Sequence, residues 1–297
     1  MPNKEGHISF YEEIRKNKVY SVLLIAIVML VLIGLIYVIG LAIGADVFFI
    51  SIIAIVISLA YVLIGFYSSD KIALASVNAV PASRADYRQY YDSVEGLTLA
   101  SGLPMPKLYV MNNPQINAFA SGRDPRNAVI CVTSGALEKL NKQELEGVLA
   151  HELSHVANYD IRFMTLVAVL VGMIAIISEI FLRSLWFRGN DREGKGNAVF
   201  VIIGVVLAIL APILVQLVQL AISRKREYAA DASGVKFTRY PPGLTNALKK
   251  IKNDKPMRNP SKVISSLFIS APDKKERDSI WSTHPSIDNR IRALERM

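Results

Sequence analysis

Leu145-Glu-Gly-Val-Leu-Ala-His151-Glu152-Leu-Ser-His155-Val156 is the stretch on which the reading of this chain turns. Asn141 stands before it with Glu144 three residues on, a spacing that opens helices with a reciprocal cap. Leu145, Val148, Leu149 and Val156 recur at helical spacing and share a face. On such a helix His151 and His155 are i and i+4 neighbours, with Cβ atoms about 5–6 Å apart. Two imidazoles so placed can hold one zinc ion, and Glu152 stands one step along, within reach of a proton on water at the metal. The plainer alternative is a pair of solvated histidines on an amphipathic helix. The apolar character of Val148–Val156 speaks against it and for a buried site.

Outward from the helix, the composition bounds the rest. The chain has 297 residues, 52% of them hydrophobic, and a formal charge of +9; its mean hydropathy is +0.33. Four apolar runs hold most of the excess: Val19–Gly44, Val47–Tyr67, Phe163–Ser178 and Ala198–Ser223. The first two are long enough to cross a bilayer, and the short link at Asp46 predicts an antiparallel hairpin. The third is shorter and runs into Glu179; the fourth carries Pro212, Gln216 and Gln219, and Pro212 predicts a kink. A second hairpin is expected there, with buried core helices as the alternative. The first run exceeds the apolar core of a secretion signal and lacks a small-residue cleavage site, so a retained anchor is expected. Arg15, Lys16, Lys18, Lys71, Arg84, Arg88, Arg224, Lys225 and Arg226 flank the runs on one side, which places that side in the cytoplasm. Arg183, Arg188, Arg192 and Lys195 oppose this rule if the second pair crosses. The membrane accounts for the basic charge without nucleic acid. A near match to a phosphate-binding loop, Gly189–Lys195, is followed by Gly196 where Ser or Thr is required, so no nucleotide site is read there. A single cysteine, Cys131, excludes an internal disulfide and a cysteine-based zinc ribbon.

The expected division is therefore a cytoplasmic N-terminal segment (1–18), a transmembrane hairpin (19–67), the first part of a soluble domain (68–162), a second hairpin (163–223) and the second part of that domain (224–297). Within the domain, Arg84–Ala100 reads as a helix, and Lys107–Met111, Ile116–Ser121 and Ala128–Val132 as short strands of a small sheet. A turn is expected at Gly122–Asn127, and a short helix after Ser286.

A zinc site needs a third protein ligand. The four histidines are His7, His151, His155 and His284, and the spacing that would supply a nearby third histidine is filled by Asn158 and Ile161. Among downstream carboxylates, Glu179 lies in an apolar run and Glu193 in the far loop. Glu227 follows the fourth run, and a hairpin returns it to the side of His151. Asp231, one turn later, could accept the other N–H of a ligand histidine and fix its tautomer. Taken alone, both acids read as surface charges balancing Arg224–Arg226; the paired histidines and the lack of a better third ligand turn the reading toward the metal.

With these residues in view the chain resembles the HtpX-type membrane zinc metallopeptidases, relatives of the CaaX prenyl endopeptidases. The resemblance rests on His151-Glu-Leu-Ser-His155 followed by Asp160, on Glu227-x-x-x-Asp231 after two apolar runs, on Asn117-Ala-Phe-Ala-Ser-Gly122 and on Thr283-His284-Pro285, and it covers nearly the whole chain. It implies a mainly α membrane protein with four transmembrane helices and a cytoplasmic α+β, zincin-like (gluzincin) protease domain. It implies one zinc on His151, His155 and Glu227, Glu152 as general base, and proteolysis of misfolded or membrane proteins at the cytoplasmic face of the cell membrane. It also implies that Asn117, Ala118 and Phe119 form an edge strand to which an extended substrate adds; an ordinary core strand is the alternative. His284 would stand beside the metal and bond the oxyanion, or else be a surface residue before a proline turn. Asp160 reads equally as a partner of a ligand histidine or as a cap, and Arg290 is a candidate for the same catalytic role that ranks below His284. A CaaX-type prenyl protease, and a zinc-binding membrane scaffold or transporter without hydrolytic activity, remain as rival readings. Oligomeric state is not legible.

Overall fold

The computed structural model describes residues 10–42, 46–168, 224–255, 257, 267–269 and 286–297. Two long helices come first, α1 (Phe10–Ala42) and α2 (Val47–Tyr67). Asp46 caps α2 by accepting from the N–H groups of Phe48 and Phe49. Ile50, Ala54, Ser58 and Val62 recur every fourth residue and form the buried stripe of α2. Small residues on such a stripe let helix backbones approach in lipid. Leu24 and Val28 of α1 join Val62 in one apolar cluster. Val22, Leu23, Ile27, Leu30, Phe48, Phe49, Ile53 and Val56 remain exposed. Water would not tolerate that surface, and a hydrocarbon interior would. Two helices among the described residues are thus long and apolar enough to cross a membrane. Most of the expected second hairpin, 169–223, lies outside the described residues. Residues 160–168, where the third apolar run begins, are helical (α7), and Phe163, Leu166 and Val167 pack into the α1–α2 cluster.

The rest of the described chain is an α+β unit. Helix α3 (Ser69–Ala75) follows α2 and leads to β1 (Val80–Pro81), α4 (Arg88–Ser101), β2 (Lys107–Met111), β3 (Ala118–Gly122) and β4 (Ala128–Thr133). The sheet runs β1-β2-β4-β3, with β2 and β4 parallel and both outer pairs antiparallel. β3 therefore lies at the edge. The turn from β3 to β4 needs Gly122, whose φ is +135° and whose side-chain position is filled by the Asn127 carbonyl. The strands fall close to where their residue types put them, with β3 beginning two residues later than expected; α4 begins four residues later than the periodicity suggests. Helix α4 packs against α6, and its buried Tyr90 hydroxyl reaches the sheet, donating to the Ile130 carbonyl at 3.0 Å.

Helices α5 (Ser134–Lys139) and α6 (Lys142–Ala157) follow. The expected cap on α6 is present in both directions, since Asn141 Oδ1 accepts from Glu144 N–H and Glu144 from Asn141 N–H. Helix α6 is buried from Leu145 to Val156 except for Glu146, because it is covered on several sides. The sheet and α4 take one flank; α8 (Arg224–Thr238) and α9 (Pro241–Asn253) take others. The short terminal helix α10 (Ile287–Leu294), capped by Ser286, closes over α8 and α9. Helices α3, α5 and α9 carry no strong signal in the sequence. Pro241-Pro242 opens α9 at the one helical position where a missing N–H costs nothing.

Candidate active site

Helix α6 brings His151 and His155 to one face, and α8 is laid against it. Gly234 makes the approach possible, since a side chain there would stand 3.0 Å from the His151 backbone nitrogen. Glu227, Ala230, Asp231 and Gly234, the buried face of α8, then look onto the two imidazoles. His151 Nε2 and His155 Nε2 are 3.3 Å apart. Glu227 places its carboxylate oxygens 3.7 Å from each of them. The three ligand atoms lie within 4.8 Å of one another, and all three residues are buried. A tetrahedral ion with bonds of about 2.0–2.1 Å sets its ligand atoms roughly 3.3 Å apart.

The hydrogen-bond network explains why that arrangement suits a cation. His151 Nδ1 lies 2.9 Å from Asp231 Oδ1, and His155 Nδ1 lies 3.1 Å from Asp160 Oδ2. Each carboxylate accepts an Nδ1–H, which turns the Nε2 lone pair inward. Two lone pairs and a carboxylate thus converge on one point, an arrangement that repels itself without a positive charge at its centre. In the metal-free protein a proton supplies that charge. Burial works against a charged His155, but Asp160, Glu227 and Glu152 outweigh it and lift the ring to about 9. His151, penalised by burial and by the adjacent Arg290 charge, moves down instead.

Glu152 points to the same space. Its carboxylate is bonded to the Ala120 N–H of β3, while its Oε1 is buried without a hydrogen-bond partner among the described residues. A buried orphan acceptor beside a metal-ligand cluster fits water held there for deprotonation. Burial is the main cause that raises this carboxyl to about 7; a charged His155 pulls it down and Glu227 pushes it up.

Two residues of the site hold roles that the sequence did not assign. Arg290 is 1% exposed and grips Asp231 with two nitrogens, at 2.9 and 2.6 Å. Its Nη1 lies 3.4 Å from Glu227 Oε2 and donates to the Ile269 carbonyl at 2.9 Å. Burial would lower its basicity, but the Asp231 carboxylate outweighs it and keeps the guanidinium charged. Burial likewise disfavours the Asp231 anion, yet Arg290 and His151 hold the carboxyl below its usual range. The second residue is Asn17 of α1, whose Nδ2 donates to Asp160 Oδ1 at 2.6 Å and to the Asn158 carbonyl at 3.1 Å. Nothing in the local sequence links Asn17 to a histidine about 140 positions away. Asp160 reaches His155 because the chain reverses at Asn158–Tyr159, where Tyr159 takes φ +59°. It is thus a partner of a ligand histidine, resolving the two readings left open by the sequence.

The Asn117–Phe119 segment lies at the sheet edge beside Glu152, with much of its hydrogen-bonding capacity already engaged. Thr133 N–H donates to the Asn117 carbonyl at 3.1 Å, Asn117 N–H donates to the Thr133 hydroxyl Oγ1 at 3.0 Å, and Ala118 N–H donates to Asn117 Oδ1. Phe119 pairs with Cys131 in the ladder, and its ring is fully buried against Phe268. Ala118 turns its carbonyl to the outer edge, where Ile269 N–H meets it at 3.0 Å. His284 lies outside the described residues.

Comparison with known proteins follows the same lines. The model of peptidase family M48 matches residues 85–297. A protease HtpX homolog of Caldanaerobacter subterraneus is 47% identical over 238 residues, covering 78% of this chain and 79% of that protein. Another, from Dictyoglomus turgidum, is 40% identical over 295 residues, covering 97% of this chain and 95% of that protein. Among solved structures, Ste24p of S. mikatae shares the fold at 17% identity and a TM-score of 0.50. This chain is covered to 94% there and spans 65% of that longer chain. With a buried two-histidine, one-carboxylate cluster on the matched segment, the chain belongs to peptidase family M48 and is a metalloprotease of the HtpX type.

Proposed function

We propose that this membrane protease hydrolyses peptide bonds of misfolded or membrane proteins at the cytoplasmic face of the cell membrane, with zinc held by His151, His155 and Glu227. The convergence of three buried ligand atoms beside Glu152 Oε1, which has no hydrogen-bond partner among the described residues, carries the reading. Zinc is favoured over other divalent ions by the ligand set, two imidazoles and one carboxylate with room for water. When bound, such an ion polarises the scissile carbonyl and acidifies water. Glu152 removes a proton from that water and later passes it to the departing amine. Asp231 and Asp160 hold the two rings in the ligand tautomer. Ala118 at the strand edge orients an extended peptide, together with Asn117 and Phe119, and His284 is assigned to the developing oxyanion.

The membrane disposition is part of the same proposal. The protease domain is assembled from 68–162 and 224–297, the segment 163–223 forms a second hairpin, and 1–18 precede the first. The Asn17–Asp160 contact supports a catalytic unit on the N-terminal side of α1, the basic and therefore cytoplasmic side.

The decisive experiment is casein digestion by the full chain in detergent, with and without chelator, beside Glu152→Gln. Chelator-sensitive cleavage that vanishes in Glu152→Gln, while that variant keeps its metal, is the expected result. Parental cleavage by the variant would remove Glu152 from its role, and metal binding without cleavage of any protein would favour the scaffold reading.

A further inference from the structure

Leu267, Phe268 and Ile269 form a short buried stretch alongside edge strand β3, at 4%, 1% and 2% exposure. Ile269 N–H donates to the outward carbonyl of Ala118 on edge strand β3 at 3.0 Å. Ile269 C=O accepts from Arg290 Nη1 at 2.9 Å. Its side chain belongs to the main apolar core, which also holds Ala118, Leu149 and Ile291. Phe268 stands edge-on to Phe119, with ring centroids 5.6 Å apart.

An extended peptide docking on the free edge of a sheet makes the same bonds. Its N–H enters an outward carbonyl of the edge strand, and its side chains alternate into pockets along the strand. Here the acceptor is Ala118, two residues before the Ala120 whose N–H holds Glu152. A peptide carbonyl following that N–H would meet the guanidinium that already braces Asp231 and Glu227. One backbone position beside edge strand β3 therefore offers an acceptor, a cationic donor and apolar surroundings together, and Ile269 takes up all three.

We propose that Leu267–Ile269 is an internal occupant of the substrate cleft, with Ile269 seated as a substrate residue and marking a pocket selective for branched aliphatic side chains. The proposal rests on the peptidase reading above and deepens it. Two consequences follow from competition. The resting enzyme binds peptide with an affinity reduced by the fraction of time the segment is displaced. The pocket rejects charged side chains, because its apolar lining leaves a buried charge unpaired.

The test is peptide binding to full-length Glu152→Gln in detergent, read by fluorescence anisotropy. The probe is a labelled unstructured hexapeptide with one central Ile, beside the same peptide with Asp at that position. Ile269→Ala empties the pocket, and Ile269→Pro removes the N–H that reaches Ala118. Both are expected to tighten binding of the Ile peptide by about tenfold, as displacement of a closed state predicts, and the Asp peptide is expected to bind weakly throughout. Unchanged or weaker binding in variants that keep their melting temperature and metal content would overturn the proposal, as would equal binding of the two peptides. Should either variant fail to fold, Ile269→Cys supplies a second measurement. The native Cys131 is fully buried with its thiol pushed up by burial, so the background of alkylation is low. The Ile peptide should accelerate alkylation of the new thiol by expelling it from the cleft; protection by the peptide would refute displacement. None of these readings depends on turnover. Chelator-sensitive digestion of casein alongside a failed displacement result would leave the peptidase reading standing and remove this one.

Discussion

At the scale of single residues, the site is governed by where protons sit. Glu152 works as a base only when ionised, and burial has raised its carboxyl to about 7. Activity should therefore fall as the pH drops through this region. A dication at the ligands favours the carboxylate and moves the limb lower, so half-maximal kcat/KM is expected at or below pH 7; a rate that climbed from pH 7 to pH 5 would contradict the assignment. His155 has the opposite sign. Its proton, held up to about 9 in the metal-free protein, contributes stability that is fully present below about pH 6.5 and is lost as the pH rises through 9. Metal takes the neutral ring and must expel that proton. Chelator competition should show metal affinity rising between pH 7 and 9 by at most about tenfold per unit. The carboxylates behind the rings matter nearly as much as the ligands. Asp231→Asn and Asp160→Asn should each weaken metal binding by about 10–100-fold at constant pH, and an unchanged affinity would show that the tautomers are set some other way.

At the scale of elements, the site depends on how closely helices can lie. Glycines stand where α6 meets other backbones: Gly147 against Leu244 of α9, Gly243 of α9 against the Gln143 carbonyl, and Gly234 of α8 against His151. At Gly147 a methyl group would collide with backbone, which cannot swing aside, so Gly147→Ala should cost stability by about 1–3 kcal/mol, as overpacking does. Thermal unfolding measures this, and a variant as stable as the parent would mean that α9 can shift without loss. Gly234→Ala is milder, since the nearest contact is 3.0 Å, but it pushes α8 and hence Glu227 away from the rings. Metal affinity should drop more than the melting temperature does. The cap of α6 is an independent element-scale feature, and Asn141→Ala should cost about 1 kcal/mol with the metal site intact.

At the scale of the whole molecule, the hairpin and the catalytic unit are one structure. Phe163, Leu166 and Val167 are buried by α1 and α2, and Asn17 holds Asp160 from the base of α1. Lys18 also stands over the Tyr159 ring at 4.6 Å from its centroid. Asn17→Ala leaves a buried carboxylate oxygen short of a donor, so about 1–3 kcal/mol of stability should be lost, together with a measurable fall in metal affinity. Equal affinity in parent and variant would show that the membrane helix only anchors the enzyme.

Much of this was written in local sequence. The α6 cap, its apolar face and the paired histidines lie within a window of sixteen residues, where helical periodicity alone fixes which side chains meet. The two leading spans follow from length and apolar content, and the small strands from their residue types. Glu227 and Asp231 could be named because their i, i+4 spacing and position after the apolar runs narrowed the choice. Asn17 and Ile269 were beyond such reasoning, and so was the bracing role of Arg290. Each reaches the site from a distant segment, through a contact that exists only once α10, α1 and the 267–269 stretch are packed on α6, α7 and β3. Periodicity reports which way a side chain faces along its own element; only the tertiary structure decides which distant group fills the space it faces.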